Sequence, residues 1–189
     1  MLILLAGIAL FIGAHSLRET GLREPLRQRA GQAIYALSVG IIVILSIALI
    51  SYGMSNASFI QVWAPPFHWR TISELLMLSS CFFFVSGFLP LSHSKQHFQH
   101  PALLGVAIWG IAHLLSNGDV ASIILFSSIT CWAFVKIVGL SRKRKDIKMG
   151  SKPALQWDVA ALIIGFIFYS VLLIYHGHLF GYALIEVRF

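Results

Sequence analysis

His100-Pro101-Ala-Leu-Leu-Gly105-Val-Ala-Ile-Trp109-Gly-Ile-Ala-His113-Leu-Leu-Ser-Asn117-Gly118-Asp119 is the stretch whose reading decides the fold. From Pro101 to Ser116 it holds no Asp, Glu, Lys or Arg. Proline suits the first turn of a helix, where its missing N–H is not needed. Asn-Gly-Asp is a strong turn signal. A second apolar run starts at Val120, directly after that turn, so the two runs predict a tight helical hairpin.

Working outward, the apolar runs are Met1–Leu17, Gly31–Met54, Ile72–Leu91, Pro101–Ser116, Val120–Leu140 and Trp157–Tyr175. Backbone groups cannot go unpaired in lipid, so such runs must be helices. The expectation is an all-α polytopic membrane bundle of about six transmembrane helices, forming one transmembrane domain over residues 1–189. Composition agrees. The chain is 58% hydrophobic and 11% charged, with mean hydropathy +0.82. A soluble domain needs roughly a quarter of its residues charged. Met1 to Ala14 has no basic segment ahead of its apolar core, so it reads as a retained first span and not a cleaved signal.

The formal charge of +7 does not point to nucleic acid, because most basic residues sit in two short segments, Arg18 to Arg29 and Arg142 to Lys152, each beside an apolar run. That is the pattern of cytoplasmic loops on an anionic membrane face. With the N-terminus outside, loops 18–30, 92–100 and 141–156, together with Lys136, face the cytoplasm and hold 12 of the 14 basic residues. Both termini are therefore expected outside, in the cell inner membrane. Cys81 and Cys131 fall inside apolar runs and read as buried free thiols. The loop Trp63-Ala-Pro-Pro-Phe67-His68-Trp69 reads as a rigid segment anchored in the outer interface. Arg70 and Glu74 read as an ordinary helical ion pair.

Eight histidines are many for so apolar a chain. An ionisable side chain within a span is costly and marks function by default. Neutral imidazole is also a common ligand for haem iron and other metals. Gly105, Trp109 and His113 recur every four residues and share a helix face. A glycine beside an aromatic ring and an imidazole leaves room for a flat group, although on spacing alone His113 reads better as an interhelical hydrogen-bonding residue. His15 closes a first helix of small residues (Ala6, Gly7, Ala9, Gly13, Ala14), either at an interface or near a planar ligand. His176 ends a stripe of Asp158, Ala161, Gly165, Tyr169 and His176 expected to face the bundle interior. His93-x3-His97-x2-His100 has metal-like spacing, but no cysteine is near and the segment reads as a flexible loop. No phosphate loop, Gly-x-Ser-x-Gly motif or paired acids support hydrolase or kinase chemistry.

The stretch from His100 to Asp119 closely resembles the signature of NnrU-type membrane proteins: His-Pro, Gly, Trp, Ala-His-Leu, Asn-Gly-Asp. Ala14-His15-Ser16 before a basic loop, and His176 followed by Leu179-Phe180-Gly181, extend the resemblance over nearly the whole chain. NnrU-type proteins are associated with bacterial denitrification around nitrite and nitric oxide reduction. A related branch includes the plant zeta-carotene isomerase, held to bind haem b and isomerise a carotenoid double bond. The resemblance implies haem b as cofactor, with His15 and His113 at the proposed ligand positions. Gly110 stands where that branch has a cysteine. A fainter similarity of His-Pro-x3-Gly to membrane methyltransferases lacks their arginine, since position 99 is Gln.

The site expected from these readings comprises His15, His113, Trp109, Gly105 and His176, with His15 and His113 as the metal ligands. The partners are membrane lipids, haem and a lipid-soluble or small-molecule substrate, and an oligomer is compatible with the composition. The function expected is redox or isomerase chemistry, or support of nitrogen-oxide reduction. An S-adenosylmethionine-dependent methyltransferase and a cofactor-free assembly partner of a respiratory complex are the alternatives. The distribution of basic residues generates a direct test. A cysteine at Ser58 should react with an impermeant thiol reagent from outside, and one at Ser151 should not. External labelling at Ser151 contradicts this topology.

Overall fold

A computed structural model describes residues 1–142 and 152–180, with side chains of the last helix described to Gly177. Lys143 to Lys145 of the basic run, Gly181, and the side chains of His178, Leu179 and Phe180 lie outside the described residues. The helices are α1 (Leu2–His15), α2 (Arg23–Ala30), α3 (Gln32–Ser55), α4 (Trp69–Phe88), α5 (His93–Phe98), α6 (Pro101–Ser116), α7 (Val120–Arg142) and α8 (Leu155–Phe180). No strand occurs among the described residues, only an isolated bridge between Gln61 and Asp119. Each of the six apolar runs falls on one helix. Four of these, α3, α4, α7 and α8, are long and apolar enough to cross a membrane, whereas α1 and α6 are apolar but shorter.

The helices form two compact units, Met1–Ile60 and Gln61–Phe189. In the first, α1 and α3 make an antiparallel pair through small residues. A Cβ on Gly53 would meet Leu4 N at 2.6 Å, and one on Gly7 would meet Ile50 N at 2.8 Å. Such contact without intervening side chains is how membrane helices gain dispersion energy when lipid is as apolar as they are. Gly13 has open space beside it. The connecting α2 is exposed and basic. Its Arg27 guanidinium, 2.7 Å from Glu24, hydrogen-bonds the carboxyl and holds it below the usual carboxylate range.

In the second unit α4 packs against both α6 and α8, and α6 against α7. Gly105 faces Ser80 and Phe84, whereas Gly87 faces Ala102, so α4 and α6 are antiparallel. Gly165 of α8 faces Cys81 and Phe82 of α4, and Phe168 stacks on Phe84 at 6.2 Å. Ala161 is fully buried, Gly165 is buried, and Asp158 bonds to the segment before α5. The inward stripe expected on α8 is therefore present from Asp158 to Gly165.

Three expectations change. The segment 93–98 is helical and not a flexible loop. Ser92 caps it by accepting from Lys95 N at 3.1 Å, and Asp158 of α8 accepts from His93 N at 2.9 Å and Ser94 N at 3.0 Å. Cys81 is buried as expected, but Cys131 is exposed, because the buried face of α7 runs through Ser122, Phe126, Ile129, Thr130 and Ala133. The room expected above Gly105 is occupied by α4: a Cβ there would meet Phe84 N at 2.6 Å, and Ser80 Oγ donates to Gly105 O at 2.8 Å. The Arg70–Glu74 pair forms at 3.3 Å.

A test follows from the α4–α8 contact. A Cβ on Gly165 would lie 3.0 Å from Phe82 Cα, whereas Ile164 is 45% exposed. Gly165→Leu should lower the folded yield in mild detergent, overpacking costing about 1–3 kcal/mol. Ile164→Leu should leave the yield unchanged. Equal yields contradict the packing.

Candidate functional site

His113 lies in the last turn of α6, and the chemistry of its ring follows from one hydrogen bond. Its Nδ1 is 2.9 Å from the carbonyl oxygen of Trp109. A carbonyl only accepts, so Nδ1 carries the proton and Nε2 carries the lone pair. The ring is held in place by aromatic neighbours. Trp109 lies 4.9 Å away on the same helix, and Phe126 of α7 stacks on His113 at 4.4 Å with a 28° interplanar angle. Trp109 and Phe126 meet edge-on at 5.0 Å, closing the group. The fourth ring is His176 of α8, with its centroid 6.5 Å from that of His113 and the two planes 23° apart.

The end of α6 is sealed just beyond this cluster. Asn117 N and Nδ2 both donate to His113 O, at 2.9 and 2.8 Å. Gly118 O accepts from Val62 N at 2.8 Å and Trp63 N at 3.2 Å, and Gly118 is pressed against the Trp63 carbonyl. Asp119 Oδ1 accepts from Ser122 N at 3.0 Å and so caps α7. The aromatic segment read from sequence as an interfacial anchor thus covers the Asn-Gly-Asp turn, with Trp63 and Trp69 edge-on at 5.5 Å.

His15 repeats the local pattern of His113 within the first unit. Its Nδ1 donates to Phe11 O at 2.9 Å, and the Phe11 ring lies 4.3 Å away. Both histidines therefore follow an aromatic residue by four positions and use its carbonyl to fix their tautomer. Of the expected site residues, the structure gathers Trp109, His113 and His176 into one cluster. Gly105 is two turns away from His113 against α4, and His15 belongs to the other unit. Sequence reasoning missed Phe126. The signal was the interval pattern of small and apolar residues along α7, which puts Phe126 on the face that meets α6.

The second polar cluster lies at the opposite end of the second unit. Asp158 Oδ2 also accepts from His93 Nδ1 at 3.1 Å. Ser94 Oγ bonds to Ser86 Oγ at 2.8 Å and to Ser92 Oγ at 2.9 Å. Lys95 Nζ donates to the carbonyls of Gly87 and Leu89 at the end of α4. These groups satisfy one another and hold α5 beneath α6.

The donor set distinguishes between kinds of metal group. Among the described residues no three His, Cys, Asp or Glu side chains are grouped to hold a metal ion. A structural zinc site wants four protein ligands. A haem brings its own four equatorial nitrogens and asks the protein for one or two axial ligands. Two imidazoles amid aromatic rings fit the second case.

An all-helical membrane protein with a paired-imidazole cluster at the ends of two helices is the class that fold and site define. The family comparison narrows it: the NnrU protein model matches residues 3–184, and the chain belongs to that family. Neither the curated proteins nor the solved structures offer a match.

Gly110, where the haem-binding isomerase branch carries cysteine, has a packing explanation. Any Cβ there would collide with Thr130 Oγ1 and lie 3.1 Å from Phe126 O. Thr130 Oγ1 is itself buried with no conventional hydrogen-bond partner. Gly110→Ala should destabilise by about 1–3 kcal/mol through overpacking. Adding Thr130→Ala should recover part of that loss, measured as the detergent-solubilised melting temperature. No recovery in the double variant contradicts the assigned contact.

Proposed function

We propose that this protein is a haem b-binding protein of the cell inner membrane, with six spans, both termini outside, and His113 as an axial ligand. The observation that carries the reading is the His113 ring itself. Its tautomer is set by Trp109 O, it is enclosed by Trp109 and Phe126, and a second imidazole lies within metal-bridging range. The resemblance nominates His15 as the second ligand and geometry nominates His176.

When bound, haem would supply a Lewis-acid or one-electron centre, held through His113. The chain's own residues do the rest. Trp109 O orients the His113 ring and keeps its Nδ1 protonated. Trp109 and Phe126 exclude water from one side, and the Gln61–Trp63 segment closes the helix end above. Lipid surrounds the helices, which suits a lipid-soluble or small-molecule substrate. The reaction class is redox or isomerase chemistry, or support of haem-dependent nitrogen-oxide reduction, as the NnrU resemblance implies. The short α6 can sit at membrane depth because the Val62–Trp63 backbone meets the turn at its end, as irregular structure there requires.

A visible spectrum of the detergent-purified protein tests the reading. Wild type should show a Soret band, and His113→Ala should lose most of it while remaining monodisperse. A colourless wild type that binds S-adenosylmethionine supports the methyltransferase alternative, and a colourless protein that binds neither supports the assembly-partner alternative.

A further inference from the structure

We infer that α2 is an interfacial helix that lies along the cytoplasmic membrane surface and takes the phosphate groups of anionic phospholipids, a role that rests on the topology proposed above. From sequence, residues 18–30 read as a basic loop. The structure makes most of that stretch a helix, with two distinct sides and a fixed attachment.

The backbone at each end sets α2 off from the two helices it connects. After α1, Leu17 O accepts from Arg23 N at 2.9 Å and closes the turn that leads into α2. At the other end Gly31 N donates to Arg27 O at 2.9 Å, and Gly31 takes φ 80° and ψ 157°. That conformation suits glycine and is not helical, so α2 cannot continue along the axis of α3. Arg27 then spans the break. Its guanidinium lies 2.7 Å from the Glu24 carboxylate and donates to Gln32 Oε1 at 3.3 Å, in the first residue of α3. α2 is thereby braced against the start of a membrane-length helix.

The two sides differ in chemistry. Leu26 N donates to Leu22 O at 3.2 Å, so the two leucines lie one turn apart on one side, and they are 52% and 42% exposed. Arg29, seven positions after Leu22, continues the same stripe. Its apolar stem can lie along the hydrocarbon boundary while the guanidinium stays at phosphate level. Arg23 and Arg27 flank the stripe, and Glu24 and Gln28 fall on the opposite side. Arg27 neutralises Glu24, whereas Arg18, Arg23 and Arg29 are exposed and form no ion pair among the described residues. Guanidinium groups match phosphate oxygens in a planar fork. Exposed leucines beside uncompensated arginines, at the end of two apolar helices, complement a leaflet of anionic headgroups over acyl chains. Two leucines would anchor a free peptide poorly, but α2 is tethered between α1 and α3 and needs only to be oriented.

Full-length protein in nanodiscs provides the test, with gel filtration as the check on folding. Nitroxide labels are placed at Leu26→Cys and Gln28→Cys in a Cys81→Ala/Cys131→Ala background. In discs containing phosphatidylglycerol, the label at position 26 should be relaxed by oxygen and shielded from a water-soluble nickel complex, and the label at position 28 should show the reverse. Equal nickel access at the two positions overturns the inference. With native cysteines in place, wild type should retain phosphatidylglycerol over phosphatidylcholine in native mass spectrometry. Arg18→Gln/Arg23→Gln/Arg29→Gln should cut that preference about fivefold or more, given the attraction of each basic residue to an anionic surface. An unchanged preference, or binding of acidic soluble protein in place of lipid, also overturns it. The topology is read separately, from an impermeant thiol reagent on Gln28→Cys in intact cells. Labelling from outside overturns the topology and the inference with it, whereas protection there combined with equal nickel access overturns the inference alone.

Discussion

The shortness of α6 governs the second unit, because a helix that ends inside an apolar slab leaves backbone groups without water. Sixteen residues span ~24 Å at 1.5 Å per residue, against a hydrocarbon core of ~30 Å. Each unpaired N–H or C=O at that depth costs several kcal/mol. The chain answers at both ends with its own polar groups. Pro101 needs no partner for the N–H it lacks. Below it, α5 is capped by Ser92 and by the Asp158 carboxylate, and Lys95 takes the free carbonyls of Gly87 and Leu89. At the other end Asn117 returns to His113 O, and the backbone of Val62 and Trp63 takes up Gly118 O.

Sealing the ends draws the helices together, and close approach demands small residues. Ser80 Oγ on Gly105 O is an interhelical bond of the kind worth about 0.6–2 kcal/mol in membranes. It forms because Gly105 has no side chain to hold the backbones apart. Thr130 against Gly110 is the equivalent contact on the opposite side of α6. There the hydroxyl oxygen lies against a glycine backbone, where a weak Cα–H donor is the available partner. α6 is thus fixed by glycine on two faces, which leaves the Trp109–His113 edge as the part where side chains fill space.

Much of the helix inventory was legible in the sequence, and its failures have a common physical origin. Apolar runs locate helices because lipid imposes one solution on the backbone, so Pro101–Ser116 was placed without error at either end. The inward stripe of α8 was readable because Asp158, Ala161 and Gly165 recur on one face. What escaped depended on a partner remote in sequence. His93 to Phe98 reads as polar loop until Asp158, 65 residues away, is known to cap it. Gly105 reads as room for a ligand, since one helix alone does not say that α4 fills the space. Phe126 joined the site because α7 turned it toward His113, and Cys131 proved exposed because the same helix faces α6 elsewhere. His113 and Trp109 were visible because their relation is local, and His176 became a neighbour through the packing of α8.

The local relation also bears on what kind of ligand His113 would make under the proposed haem reading. Metal-binding histidines commonly donate their second N–H to a carboxylate or to a carbonyl, and the choice tunes the basicity of the ring. Here the acceptor is Trp109 O, a helical carbonyl one turn back. It is a neutral partner that cannot take the proton, so the ring stays imidazole in character and gains less donor strength than beside a carboxylate. Asp158, which does engage a histidine through its carboxylate, engages His93 at the far end of the unit. The protein therefore separates its two uses of histidine by acceptor type. The carboxylate-bound ring helps fasten a helix start, where charge is satisfied by backbone N–H groups. The carbonyl-bound ring lies among Trp109 and Phe126, where a buried charge would have no compensating partner. A neutral imidazole with a fixed tautomer is the form that such an apolar enclosure permits and the form that can offer a lone pair to a metal.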